Sequence, residues 1–185
     1  MPSPIAHGAT AYALYRAFGA RLEEKTGPAP WSPRRVLLVI VALSFLPDLD
    51  VIPGLLVGDL PGIHNSIMNS ISVGVLVAFA VGGIMWFVGR MAARDWFIIA
   101  LISYWLHVAM DYFTTERGVM LFWPLTTKRF IAPVKLFYGF HYSEGLISIR
   151  HVWTVVTELA FALVLLLVIR LFARLISSRR AASAR

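Results

Sequence analysis

At 185 residues the chain has the length of one domain, but its 58% hydrophobic and 15% charged residues fall short of the roughly one-quarter charged residues of a water-soluble domain. The net charge of +7 does not mark a nucleic-acid surface. Arg34/Arg35, Arg90/Arg94 and Arg170/Arg174/Arg179/Arg180 flank apolar runs, where topology-setting charges sit, instead of clustering on one soluble face. No cysteine is present, which excludes disulfides and thiolate metal ligands.

The apolar residues gather in runs over 36–46, 73–88, 96–106 and 152–169. These approach the ~20 residues needed to cross a hydrocarbon core. They are continuous and do not alternate, so helices satisfy the backbone there and strands do not. The expected fold is all-α: a polytopic membrane helical bundle with four to five transmembrane helices. Residues 1–176 form its single domain, and 177–185 form a basic, disordered tail.

In chain order, 5–22 reads as an Ala-rich helix and 23–33 as a polar, Pro-rich connection. No early positive charge or strongly apolar stretch precedes Arg16, so the start does not read as a cleavable signal. A second helix begins near Val36 and meets Pro47 and Pro53, which must break or kink it. Residues 55–63 form a Gly/Pro loop, 67–89 a clean spanning helix and 90–95 a basic turn. The helix over 96–113 carries His107 and Asp111. Residues 114–150 are the one long connection, rich in aromatics (Phe122, Trp123, Phe130, Phe137, Tyr138, Phe140, Tyr142), a composition suited to the membrane–water interface. His141 and Glu144 within it read as interfacial groups. The last span covers 152–176.

Charge sets the topology. With Lys25/Arg34/Arg35, Arg90/Arg94 and the C-terminus in the cytoplasm, 55–63 and 114–150 lie outside.

Ionisable groups inside a span cost on the order of 3 kcal/mol each and call for a reason. At ~1.5 Å per residue, Asp48 lies about 18 Å from Val36, and His107 about 17 Å from Trp96. Asp111 lies about 6 Å further out. His64 precedes a span, and His7 opens the first helix. Different segments thus deliver His7, Asp48, Asp50, His64, His107 and Asp111 toward one layer in the outer half of the membrane. His107 and Asp111 are four apart and share a helix face, which Ser103 and Thr114 extend into a polar stripe. His151, Thr154 and Glu158 share a face of the last helix, with Glu158 placed to support a site or pack a helix. Imidazole with carboxylate suits a divalent metal, zinc first, with manganese or iron also compatible. The bland alternatives are a structural His107–Asp111 pair, an Asp48-Leu49-Asp50 helix cap and an interfacial His64.

Four segments carry a family likeness: His7-Gly8, Leu46-Pro47-Asp48-Leu49-Asp50, His64-Asn65-Ser66, and His107-Val108-Ala109-Met110-Asp111. The last runs on through Thr114 and Gly118 to Leu121-Phe122-Trp123-Pro124-Leu125. In these the chain resembles the inner-membrane, metal-dependent hydrolases described as LexA-binding, which are distantly similar to zinc-dependent phospholipase C. The resemblance covers His7 to about Phe130 and implies a hydrolase with a His/Asp metal centre. It also exposes a departure: the family's His-Arg-Gly turn, with a second His before a Ser, is replaced here by Asn65, Ser66 and Asn69 followed by Ser70. Fewer ligands, with one metal, or altered chemistry would follow.

The expected function is therefore hydrolysis of an ester or phosphoester by a metal-activated water, with Asp50 or Asp111 accepting its proton. The substrate would be amphiphilic, such as a phospholipid, met in the lipid bilayer of the inner membrane. Two other classes compete. One is a non-catalytic metal-binding or partner-binding membrane protein with a degenerate site. The other is a small transporter or channel, against which the almost wholly apolar inner halves of the spans argue.

Overall fold

The computed structural model describes residues 4–25, 31–88, 92–114, 117–139, 148–149 and 151–183. The expectations placed on Phe140, His141, Tyr142 and Glu144 lie outside the described residues. Among the described residues there are five long helices: α1 (Pro4–Lys25), α2 (Pro33–Phe45), α5 (Ile71–Phe87), α6 (Ala93–Tyr112) and α7 (His151–Ser183). Two short helices, α3 (Val51–Val57) and α4 (Leu60–Ile63), and two 3-10 turns, Leu46–Asp50 and Ile67–Asn69, lie between α2 and α5. Among the described residues there is no β-strand, only isolated bridges Thr114–Phe137 and Val119–Phe130.

The break in the second helix falls where proline demands it. Pro47 lacks an amide hydrogen, so α2 ends at Phe45 and the chain tightens into the 3-10 turn Leu46–Asp50. The region expected as a Gly/Pro loop is instead two helical turns. Gly58, at φ 75°, ends α3 in the left-handed conformation open to glycine. Asp59 then starts α4 by accepting from the Gly62 amide at 3.0 Å. The third long helix also starts later than expected. Ser70 takes the N-cap position and accepts from Val73 N, so α5 begins at Ile71 and not at Ile67.

Among the described residues, fewer helices than the expected four to five spans are long and apolar enough to cross a membrane. Two helical stretches, Pro33–Val57 and His151–Leu175, are long and apolar enough to cross a membrane. α5 is apolar but has only 17 residues. α1 carries Arg16, Arg21, Glu23 and Glu24, and α6 carries Arg94, Asp95, His107 and Asp111, which dilute both as hydrocarbon-facing segments.

Packing explains how α6 tolerates those groups. It lies against α5, α2 and α1, with Trp96, Ile99, Ala100, Tyr104 and Val108 buried on its inner side. Gly74 and Ala78 let α5 come close: a Cβ on Gly74 would stand 2.8 Å from the Trp105 ring. Leu14, Leu22, Val36 and Ile40 complete the same core from α1 and α2. α7 touches α1 along one edge and leaves Leu163, Val164, Leu167, Leu171 and Phe172 exposed, as suits a helix meeting hydrocarbon. Its helix continues through the basic segment after Ile176 as far as Ser183.

The connection after α6 folds back onto the bundle. Ala132 N donates to Tyr112 O at 3.1 Å and Leu136 N to Phe113 O at 2.9 Å, while Ile71 N donates to Leu121 O at 3.1 Å. Ser72 Oγ donates to the Trp123 carbonyl. This roof lies over the ends of α5 and α6 at the level of the buried polar groups.

Candidate metal centre

His107 is the fixed point of the site. It is 1% exposed, and its Nδ1 lies 2.7 Å from the carbonyl oxygen of Ser44. A carbonyl only accepts, so Nδ1 carries the hydrogen and Nε2 is aimed into the cluster. The helix break after Phe45 brings Asp48 there: its Oδ1 is 3.3 Å from His107 Nε2. One turn along α6, Asp111 Oδ2 is 3.4 Å from the same nitrogen. Two carboxylates therefore face one imidazole nitrogen, and a positive charge belongs between them, whether proton or metal.

His7 completes the group from the first turn of α1. Its ring stacks on that of His107 at 3.9 Å with 13° between planes. Its Nε2 is 3.8 Å from Asp111 Oδ1, and the side chain is fully buried. Two stacked imidazolium rings would repel, so the protons of this cluster cannot simply be shared out between both rings.

Hydrogen bonds do not satisfy the cluster. His7 Nδ1, His7 Nε2, Asp48 Oδ1, His107 Nε2 and Asp111 Oδ1 are buried and have no hydrogen-bond partner. Each such group costs about 1–3 kcal/mol if it stays unsatisfied. One ligand atom each from His7, Asp48 and His107 lies within 4.8 Å of the others, so the trio can hold a metal ion. Ligand atoms around a tetrahedral zinc stand about 3.3 Å apart, given bonds near 2.0–2.1 Å. Within the trio, the 3.3 Å from His107 Nε2 to Asp48 Oδ1 matches that spacing. Asp48, 16% exposed, is the member that reaches the edge of the cluster.

The other two residues expected as ligands pair with each other. In the tight turn Asp48 and Asp50 diverge: Asp48 faces α6, and Asp50 faces the chain before α5. Asp50 Oδ1 meets His64 Nδ1 at 2.6 Å, and its Oδ2 accepts from Asn65 N at 3.0 Å. Asn65 Oδ1 in turn accepts from Asn69 Nδ2 at 2.7 Å, and the same Nδ2 donates to Asp111 Oδ2 at 2.6 Å. The Asp50–His64 pair and the His7/Asp48/His107/Asp111 group are thus neighbours joined through two asparagines.

Three contributors escape a reading of the sequence. The Ser44 carbonyl leaves no sequence signal. Asn69 is visible only as a missing imidazole. Arg129, one of several basic residues in the connection, spans four carbonyls: Nη1 donates to His64, Asn65 and Gly118 at 3.0–3.2 Å and Nη2 to Gly62 at 2.9 Å. Gly118, at φ 79°, presents its carbonyl there with no room for a side chain against Phe130 O. Burial lowers the pKa of Arg129 from its ordinary value, and Arg117 adds to this while Asp50 opposes it.

Glu158 reaches the site indirectly. It is fully buried on α7, and its Oε2 accepts from Ala6 N at 3.1 Å, one residue before His7. The first amides of a helix lack partners within it, so this carboxylate caps α1 from another helix. Thr154 anchors the same face by donating to Gly139 O at 2.8 Å. Glu158→Leu is expected to cost about 1–3 kcal/mol, since it strands a buried amide. The loss should appear as a lowered thermal midpoint in detergent, whereas Glu158→Gln, which keeps an acceptor oxygen, should stay close to the parent.

Together these observations define an all-helical, membrane-type chain with a buried His/Asp/His cluster able to hold a metal ion. The chain belongs to the YdjM inner membrane protein family, whose model matches residues 1–181. No curated protein and no solved structure matches it.

Proposed function

We propose that this chain is a membrane-bound, metal-dependent hydrolase of an ester or phosphoester in an amphiphilic substrate, with phospholipid the leading class. The observation that supports it most is the set of five buried nitrogen and oxygen atoms of His7, Asp48, His107 and Asp111 that converge with no hydrogen-bond partner. The donor set of imidazole and carboxylate favours zinc, with manganese or iron as alternatives. His7, Asp48 and His107 would hold the ion, which supplies Lewis acidity and brings the pKa of a water toward ~7.

The chain's own residues supply the rest. The Ser44 carbonyl orients His107, and Glu158 fixes the helix start that carries His7. Asn69 holds Asp111 by Oδ2 and leaves Oδ1 open, so Asp111 is the carboxylate placed to accept a proton. Asp50 spends both oxygens on His64 and Asn65 and serves to position the turn. The aromatic roof, with Phe122 and Leu125 exposed, suits contact with lipid, and the charge distribution favours a site toward the outer leaflet with a cytoplasmic C-terminus. The likeness to LexA-binding and phospholipase C-type hydrolases points the same way as an analogy.

The deciding experiment assays detergent-purified, zinc-loaded protein against carboxylic ester, phosphodiester and phospholipid panels. Turnover that chelator abolishes and zinc restores is expected. A second reading, a metal-binding protein without catalysis, draws on the mutual pairing of Asp50 and His64, which leaves fewer free ligands. Bound metal with no turnover on any panel would favour it.

A further inference from the structure

At the far end of α6 from the His/Asp centre, two grooves meet at one arginine. Arg94 stands in the first turn of α6, about 20 Å along the helix from His107. On one side, α5 and α6 frame a groove of about 300 Å³ lined by Phe79, Gly82, Gly83, Trp86, Phe97 and Arg94. On the other, α1 and α6 frame one of about 220 Å³ lined by Phe18, Arg21, Leu22, Asp95, Ile98 and again Arg94. Glycine shapes the first groove. A Cβ on Gly82 would stand 3.0 Å from Phe97 Cβ, so its absence lets the helices approach. A Cβ on Gly83 would meet nothing within 4 Å, so the backbone there is open floor. The rings of Phe79 and Phe97, edge to face at 5.0 Å, form an aromatic wall.

Each groove runs from a polar mouth to an apolar depth. Trp86 and Arg94 lie near the end of α5 and the start of α6, while Phe79 lies about 10 Å further in along α5. In the second groove Arg21 lies near the same end, with Phe18 and Ile98 about one turn further in. The charges at the mouth do not cancel. Arg21 Nη2 meets Asp95 Oδ1 at 2.8 Å and its Nε donates to Asp95 Oδ2 at 3.1 Å, which pairs those two off. Arg94 is exposed and makes no ion pair among the described residues. One positive charge is therefore left where the grooves meet. A two-chain phospholipid has the matching layout, a single phosphate with an acyl chain to either side. Arginine grips phosphate through paired N–H donors, and basic pockets between membrane helices hold anionic headgroups. We propose that this end of the bundle holds one anionic phospholipid, its phosphate on Arg94 and one acyl chain in each groove. A headgroup with its own ammonium sets another cation beside Arg94 and Arg21, and binds less well. The lipid here is a resident of the fold, and its site is independent of the hydrolase reading.

The probes are phosphatidylglycerol and phosphatidylcholine with the same acyl chains. Full-length protein in detergent is stripped of lipid, mixed with each, and followed by native mass spectrometry. One phosphatidylglycerol per chain should survive the collision energy that removes phosphatidylcholine. Arg94→Gln should cut that retention by about fivefold, as for one basic residue lost from an anionic surface. Gly83→Leu, whose Cβ meets no atom within 4 Å and whose side chain then fills the groove, should weaken retention with the arginine still in place. Both changes fall at open positions, so helicity by circular dichroism should match the parent. Lysophosphatidylglycerol, with one chain, should leave at lower energy. Equal retention of the two headgroups overturns the proposal, since it describes lipid resting on any apolar face. Parent-like retention in either variant overturns it too, as does a one-chain lipid held as firmly as the two-chain form.

Discussion

His107→Ala should empty the centre. Loss of an outer partner of a metal ligand commonly weakens metal binding 10–100-fold, and removal of a ligand from a trio should exceed about 100-fold. The substitution also leaves Asp48 and Asp111 facing each other without the nitrogen that lies 3.3 and 3.4 Å from them. Stripping the partner from a buried charge typically costs about 3–5 kcal/mol, so the variant should be less stable even without metal. Competition with a coloured chelator measures the affinity, and thermal unfolding in chelator isolates the stability. Leu38→Ala, at an exposed apolar position of α2, should change neither by much. Parent-like metal affinity in His107→Ala would place the ion elsewhere.

Asp111→Asn tests the chemistry apart from the binding. The trio that can hold the ion is His7, Asp48 and His107, so metal content should remain near the parent value. Asn69 can still donate to an amide oxygen at residue 111. What disappears is the open carboxylate oxygen proposed to take a proton, and a positioned general base commonly contributes 10²–10⁴-fold. Turnover should therefore fall by at least about 100-fold at equal metal occupancy. A parent-like rate would assign the base role to another group. Reduced occupancy would instead make Asp111 a ligand.

The fold was legible where single residues dictate backbone. Pro47 ends α2 because it lacks an amide hydrogen, and the i, i+4 spacing of His107 and Asp111 placed them on one buried face with Ser103 and Thr114. The start of α5 was not legible in the same way. Ile67 and Met68 are apolar, but the Ser70 cap and the Asn65–Asn69 bond hold that turn out of the helix. Among the described residues, two helical stretches are long and apolar enough to span, fewer than the four to five expected: α5 is apolar and exposed but only 17 residues long, and α6 spends much of its apolar surface against neighbouring helices.

In the site, rise per residue was enough to bring His7, Asp48, His107 and Asp111 to a shared depth. Depth carries no azimuth. Asp50 and His64 reach the same layer, yet the 3-10 turn points Asp50 away from Asp48 and into a pair with His64. Partners made of backbone, such as the Ser44 carbonyl beside His107, have no side-chain signature at all. Arg129 was hidden for a related reason: its four partners are carbonyls from two loops that meet only once the chain has folded.

X-ray absorption at the zinc edge of the loaded, detergent-solubilised chain bears on all of this most directly. Nitrogen and oxygen neighbours at about 2.0–2.1 Å, with the outer-sphere scattering of two imidazole rings, are the result expected if His7 and His107 grip one ion together. A zinc environment with no imidazole scattering, or one unchanged in a His7→Ala, His107→Ala double variant, would contradict it.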